Sequence, residues 1–399
     1  MSSGFPVKRT GNELYAHMLG ILERLVGFDT TSHNSNLELI GYVQDLLSAN
    51  GIDSRLHFNE DRSKANLVAT AGSAGDGRRG IVWSGHTDTV PVTGQAWTAD
   101  PFTLRVTEDR AIGRGTADMK GFLACCLALL STVDQQALPI PVTLVLTYDE
   151  EVGCVGARSL VEEMRTWTGE VTGCVVGEPT GMRVVVGHKG KQNYRLRLTG
   201  EPKHAALASQ TANPIVSAAE FIGFAESLNE RFRDSGPYDE RFSIGHSWIN
   251  VGRIEGGLKA NIVPGDCTVE LEIRNVPDHP CADIADELRR YTEGELLAAM
   301  RKRYAPAEAA LEQLSDTPSF AMEPDHAFIA RATAATGQDA APEYVPFGTE
   351  AGLIRGIAGL PTVVCGPGFI SEAHTADEFV PLDQLRHCLA HLQAIAATP

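Results

Sequence analysis

No stretch of this sequence approaches the eighteen or so consecutive apolar residues that a membrane span requires. The opening residues, MSSGFPVKRTGNEL, also lack the apolar core of a secretion signal. A soluble, cytoplasmic protein is therefore expected. Basic charge is scarce as well: 34 lysines and arginines stand against 51 aspartates and glutamates, a formal net charge of -17. A field of that sign repels phosphate backbones and anionic lipid, so nucleic acid and membranes are excluded as partners. The eight cysteines (Cys125, Cys126, Cys154, Cys174, Cys267, Cys281, Cys365 and Cys388) contain no CxxC pair and no short disulfide-framework spacing. Most lie inside apolar runs and are expected to be reduced core residues. Internal repeats and low-complexity tracts are absent.

What is present suffices for a full core, because 399 residues at 43% hydrophobic content are enough for two domains. In the N-terminal half, NELYAHMLGILERLVGF and NLELIGYVQDLLSANG carry apolar residues at helical spacing, and MKGFLACCLALLSTV reads as a buried helix. NLVATAG, GIVWSGH, VTLVLTY and GCVVGE read as short apolar strands. This alternation predicts an α/β fold, a mixed sheet covered by helices. From about residue 185 the pattern changes: KQNYRLRLTG and CTVELEIRNV alternate strictly, SWINVGRI follows a helix near 212 to 229, and a charged helix is expected over 281 to 303. Strands buried on one face and packed by two helices predict a compact inserted α+β domain. After residue 317 the earlier style returns with a helix at 325 to 336, the strand PTVVCG and a closing helix from 382. The expected division is 1 to 184 with 317 to 399 as one discontinuous domain and 185 to 316 as the insertion.

Five segments place an acid or a histidine just after a strand or at the start of a helix: SGHTDTVP (His86, Asp88), GRGTADMKG (Asp118), YDEEVG (Glu150, Glu151), GEPT (Glu178) and GPGFISEAHTADE (His374). Loops at the carboxyl ends of strands in an open α/β sheet converge on a ligand site. Several carboxylates gathered there repel one another and resist burial unless something positive compensates them. Divalent cations meet that need. Imidazole and carboxylate donors without thiolate suit zinc, cobalt or manganese, with zinc the usual choice. One carboxylate can bridge two such ions in a hydrolytic site. His86 and Asp88, two apart on an extended segment, leave the same face, so Asp88 is expected to orient the imidazole rather than to ligate. Glu150 and Glu151, as neighbours, point apart and can divide the work: one ligates, and the other reaches the attacking water as a general base. Asp149 is assigned to structure. Gly113, Gly115 and Gly121 are expected to serve tight turns, while His17, His33, His57, His246, His387 and His391 lack comparable acidic company.

Together the five segments, in order over essentially the whole chain, resemble the aminoacylase and acetylornithine deacetylase family of dizinc amidohydrolases, which also includes succinyl-diaminopimelate desuccinylase and glutamate-releasing carboxypeptidases. The resemblance implies that His86, Asp118 and Glu178 hold one zinc and that Asp118, Glu151 and His374 hold the other, with Asp118 bridging and Glu150 as general base. It implies a cis peptide at Asp118-Met119. It also makes the insertion a lid domain that carries a homodimer interface. His204, in GEPKHAALA, stands where the family has a histidine that reaches the partner subunit's site and stabilises the oxyanion; Ala205 and Ala206 follow it where serines are common. Asn261 in KANIVPGD and Arg274 in LEIRNVP resemble lid residues that contact substrate, arginine being a natural bidentate partner for a carboxylate. DEEVGCVGA, GEPTGM with HKGK, VPFGTEAG and CGPG with AHTADE lean toward the acetylornithine branch, in which Glu350 would face the substrate's distal ammonium. The implied activity is hydrolysis of N-acetyl-L-ornithine within arginine biosynthesis. The alternatives are another N-acyl amino acid deacylase, a dipeptidase, a catalytically silent metal-dependent binding protein, or a metal-free structural protein.

Overall fold

Alternating burial along the strands separates two kinds of sheet. In a computed structural model, which describes residues 4–73 and 78–397, the chain forms two compact units. One comprises Met1–Gly187, Ala321–Tyr344 and Thr349–Pro399, the other His188–Phe320 and Val345–Gly348.

The first unit is the α/β body. Its sheet runs in the order Ser54–Phe58, Ala65–Ala71, Val142–Thr147, Gly80–His86, Val171–Pro179, Thr362–Gly366 and Val185–His188 before its last strands. The four strands from Val142–Thr147 to Thr362–Gly366 are parallel, and Ala65–Ala71 joins them antiparallel, so the sheet is mixed as expected. All seven residues of Gly80–His86 are buried, as they must be where both faces of a parallel strand are covered. On one face lies helix Gly121–Leu130, whose ten residues are all buried because other helices enclose it in turn. Gly11–Val26 packs on it through Leu14, Met18, Ile21, Leu22 and Leu25, one stripe at helical spacing, and Leu382–Ala397 packs beside them. Parallel strands covered in this way bring their carboxyl ends to a common edge.

The second unit has an antiparallel sheet in the order Trp248–Gly256, Asp266–Asn275, Gly190–Thr199 and Glu308–Thr317. Burial alternates residue by residue along Gly190–Thr199 and Asp266–Asn275. The inward residues Tyr194, Leu196, Val269, Leu271 and Ile273 meet Phe221, Leu228, Ile284 and Leu288 from helices Pro214–Ser235 and Cys281–Tyr291. The helix Pro214–Ser235 starts where Asn213 accepts a hydrogen bond from Ile215 N at 3.0 Å and Pro214 occupies the first turn. The single charged helix expected over 281 to 303 is instead interrupted. Buried Thr292 donates its hydroxyl to Leu288 O at 2.8 Å, and a widened turn, Thr292–Leu296, separates Cys281–Tyr291 from Leu297–Arg303. A threonine that bonds the preceding turn in this way competes with regular helix geometry.

Candidate metal centre

Three of the parallel strands deliver acids or histidine to the same edge. His86 ends its strand in register with Thr147, so the acidic run that follows Thr147 starts beside it, and Glu178 stands at the end of the next strand. The acidic turn is tightly built. Asp149 adopts a left-handed backbone (φ 55°) and pairs with Lys64 at 2.6 Å, the structural duty expected of it. Amides of Val155 and Gly156 donate back to Asp149 O and Tyr148 O at 3.0 and 2.9 Å. Asp88 underpins this turn: Oδ1 accepts from Glu150 N at 3.0 Å, while Oδ2 accepts from Glu151 N at 3.3 Å and from Ser32 Oγ at 2.8 Å. His86 Nδ1 lies 3.0 Å from the carbonyl oxygen of Asp88 and 3.5 Å from its carboxylate. Asp88 therefore steers the imidazole chiefly through its backbone and the two glutamates through its side chain.

With Nδ1 so occupied, Nε2 of His86 faces the cluster, 2.9 Å from Asp118 Oδ1 and 3.7 Å from Glu178 Oε1. His374 Nε2 lies 3.3 Å from the other oxygen of Asp118, Oδ2, and 3.0 Å from Glu151 Oε2. The two oxygens of Asp118 thus turn toward different histidines. Donor atoms of His86, Glu150 and Glu178 form one close group, and those of His86, Asp118 and Glu151 another, each within 4.8 Å. The Asp118-Met119 peptide is cis. Of the residues singled out from the sequence, His86, Asp88, Asp118, Glu150, Glu151, Glu178 and His374 come together here.

Electrostatics at the cluster are severe. Burial, reinforced by Glu151, Asp118 and Asp88, pushes Glu150 above the usual carboxylate range. Burial and Asp118 do the same to Glu151 and Glu178. Burial also opposes charge on Asp118, but hydrogen bonds with His374 and His86 outweigh it and hold this carboxyl low. His86 stays well above its ordinary value despite burial, because Asp118 and Asp88 bond to it. Four carboxylates and two imidazoles that pull one another's protonation so far from the ordinary form a site whose charge suits divalent cations. The donor set fits such ions: nitrogen and oxygen only, two histidines, and one carboxylate presented to both.

Glu350 does not join the ring of donors. It has no exposed surface, and its oxygens accept from Ser84 Oγ at 2.5 Å and Thr147 Oγ1 at 2.8 Å. It lies instead beneath the strand ends that carry His86 and the acidic turn, bonded to one hydroxyl from each of those two strands. His204, Asn261 and Arg274 belong to the second unit. His204 pairs with Ile262 across a short ladder, and Asn261 O accepts from Ala205 N at 3.0 Å, so these two expected residues are neighbours. Arg274 Nε donates to Glu272 at 2.6 Å. Lys189 lies in its field, and burial together with Arg274 pushes that ammonium down to about 8.

Several contributors had no assignment from the sequence. Cys154 Sγ donates to Glu150 Oε1 at 3.2 Å. Gln95 Nε2 donates to His374 O at 2.7 Å. Glu378, four residues beyond His374, accepts from the backbone on either side of Asp118's turn. The acidic ending of the segment AHTADE was the only signal for it.

Comparison with known proteins finds relatives over most of the chain. The description of peptidase family M20/M25/M40 matches residues 82–398. An acetylornithine deacetylase of Myxococcus xanthus is 35% identical over 385 residues, covering 94% of this chain and 96% of that protein. Among solved structures, an M20 family metallo-carboxypeptidase from Sulfolobus solfataricus superposes with a TM-score of 0.74 at 19% identity, over 95% of this chain and 98% of that one. A Bacillus subtilis protein described as a dinuclear metal binding peptidase of the M20 family gives 0.67 at 16% identity, over 97% of this chain and 98% of that one.

Proposed function

We propose, from the premise that the chain belongs to peptidase family M20/M25/M40 and is a metal-dependent hydrolase, that it removes the acetyl group from N-acetyl-L-ornithine to give ornithine and acetate. The observation that carries the reading is the division of labour at one strand edge: Asp118 offers one oxygen to each histidine, while donor atoms of Glu150 stand within 4.8 Å of those of His86 and Glu178. The acetylornithine deacetylase of Myxococcus xanthus supports the choice of substrate.

His86, Asp118 and Glu178 would hold one divalent cation, and Asp118, Glu151 and His374 the other, zinc being the ion that histidine donors suit. When bound, such a pair acidifies water and polarises an amide carbonyl. Glu150 takes the proton of the attacking water and returns it to the departing amine, a task open to a carboxylate that stands beside the ligands without being counted among them. Asp88 keeps Glu150 and Glu151 in register through their backbone amides, so that base and ligand hold their separate directions. His204 is the candidate donor to the oxyanion, and Asn261 and Arg274 the candidates for the substrate's polar and carboxylate groups.

The test is release of ornithine from N-acetyl-L-ornithine by the purified protein, as isolated, after chelation, and after return of zinc or cobalt. Activity is expected to vanish and recover with the metal. If two metals are retained without ornithine release, the site stands and the substrate moves to another N-acyl amino acid or a dipeptide, which a panel including succinyl-diaminopimelate identifies.

A homodimer through the second unit is part of the same proposal. Among the described residues Trp248–Gly256 is an edge strand paired on one side only, Ile254 on it is 51% exposed, and the nearby loop residue Leu258 is 89% exposed. Open edges and apolar surface of this kind are normally covered. Light scattering is expected to return about twice the 42.8 kDa chain mass; a monomer at micromolar concentration would exclude the interface.

A further inference from the structure

Glu378 is 1% exposed, and its carboxylate serves four donors at once. Oε1 accepts from Ala117 N at 2.9 Å and Asp118 N at 3.1 Å. Oε2 accepts from Gly115 N at 3.0 Å and from the Arg114 guanidinium at 2.7 Å. Every one of these donors lies in the turn that presents Asp118. We propose that Glu378 is the positioning residue for Asp118, locking the 114 to 118 turn so that each oxygen of the aspartate faces its own histidine. The inference rests on the metal-centre reading above and adds the device that assembles it.

Three observations give the proposal its force. First, Glu378 and His374 share one loop, so a single docking event brings in the histidine and fastens the bridging aspartate's backbone. A second strut reinforces the link: Arg114 also bonds Gln95, whose amide holds His374 O. Second, the turn is closely packed at a position that needs glycine. Gly115 has φ 80°, and a Cβ there would come within 2.8 Å of Thr89 Cγ2 and 3.0 Å of Lys120 Cδ. Third, the loop does not depend on the carboxylate for its attachment. Gly113 N donates to Glu378 O at 2.9 Å, and Phe379–Pro381 pairs with Arg110–Ile112, so a changed side chain leaves the segment docked. The carboxylate is thereby free to act on one thing, the orientation of the Asp118 backbone.

Chemistry selects a carboxylate here. Two oxygens with four acceptor sites match four donors. An amide has one oxygen, and its NH2 would confront either the two amides on one side or Gly115 and Arg114 on the other. A merely structural ion pair with Arg114 would predict lower stability in a Glu378 variant but unchanged metal binding; a positioning residue predicts weaker metal binding with all the ligands still present.

The experiment titrates the metal-free protein with Co2+, following the visible absorption of the bound ion, for wild type, Glu378→Gln and Glu378→Asp. Thermal unfolding of each metal-free form is recorded alongside. Both variants are expected to unfold cooperatively. Glu378→Gln should bind Co2+ about tenfold to a hundredfold more weakly, the range seen when partners that orient ligands are lost. Its cobalt spectrum should be altered, and its turnover should recover substantially at excess Co2+, with KM little changed. Glu378→Asp, which keeps the charge but is one methylene too short to span both sides of the turn, should fall between, and it carries the test if the Gln variant fails to fold. Wild-type affinity and spectrum in the variants would overturn the role of Glu378 and leave the metal centre standing. A wild-type protein that takes up no Co2+ would remove the metal reading and this inference together.

Discussion

Glu150→Gln is expected to retain both cations and to lose on the order of a hundredfold or more in kcat, the usual contribution of a positioned general base. The substitution preserves shape and keeps an oxygen to accept from Cys154 Sγ. It removes the one property that the proposed reaction asks of this position, the capacity to accept a proton and give it back. The backbone of Glu150 is fixed independently by Asp88 Oδ1 at 3.0 Å, so the turn should survive the change. Metal content decides how the result is read. Donor atoms of Glu150 lie within 4.8 Å of those of His86 and Glu178, so a variant that loses one metal equivalent together with its activity would make Glu150 a ligand. Near-normal turnover with full occupancy would remove it from the chemistry.

Asp118→Ala should have the broader effect: bound metal falling from two equivalents toward none after dialysis, with activity reduced more than a hundredfold. Residues that only orient ligands cost tenfold to a hundredfold in metal affinity, and Asp118 is presented to both histidines directly, at 2.9 and 3.3 Å. His374→Ala, which removes a donor from one side only, should keep about one equivalent. Elemental analysis of the two variants separates a bridging aspartate from an ordinary ligand: equal losses would contradict the bridge. A pH dependence accompanies this prediction. Burial and neighbouring acids raise the proton affinity of Glu150, Glu151 and Glu178, so in the empty site protons compete with the cations for the carboxylates. Apparent metal affinity should therefore fall as pH falls, and loading should release protons that calorimetry in buffers of different ionisation enthalpy can count.

Much of the centre was legible because strand-end chemistry is local. A histidine at the end of GIVWSGH or paired acids after VTLVLTY announce themselves where an apolar, β-branched run stops, and the strands did end there. The alternation in KQNYRLRLTG and CTVELEIRNV likewise translated directly into one-sided burial. What escaped notice is what only pairing or packing decides. Glu308–Thr317, EAALEQLSDT, is rich in residues that favour helices, yet it lies as an edge strand beside Gly190–Thr199, and its pairing there overrides the preference of the residues. Ser54–Phe58 is too short and too exposed to show a clear period. Helix Val155–Arg165 follows the acidic turn with only Leu160, Val161 and Met164 as sizeable buried residues, a faint stripe. Glu350 had the right charge in a suggestive motif, and only three-dimensional placement showed its hydrogen bonds with Ser84 and Thr147. Glu378 drew no assignment for a related reason: three of its four partners are backbone amides 260 residues and more away, which no side-chain pattern records.

The order of strands in the first unit has a consequence for how the protein comes into being. Thr362–Gly366 lies between Val171–Pro179 and Val185–His188, in contact with both. A ribosome emits those two neighbours long before the strand that separates them, so the hydrogen bonds between Val171–Pro179 and Thr362–Gly366 can form only after about 360 residues have been made. His374 and Glu378 emerge later still. On the reading proposed above, the set of metal donors is therefore complete only once those last residues have been made.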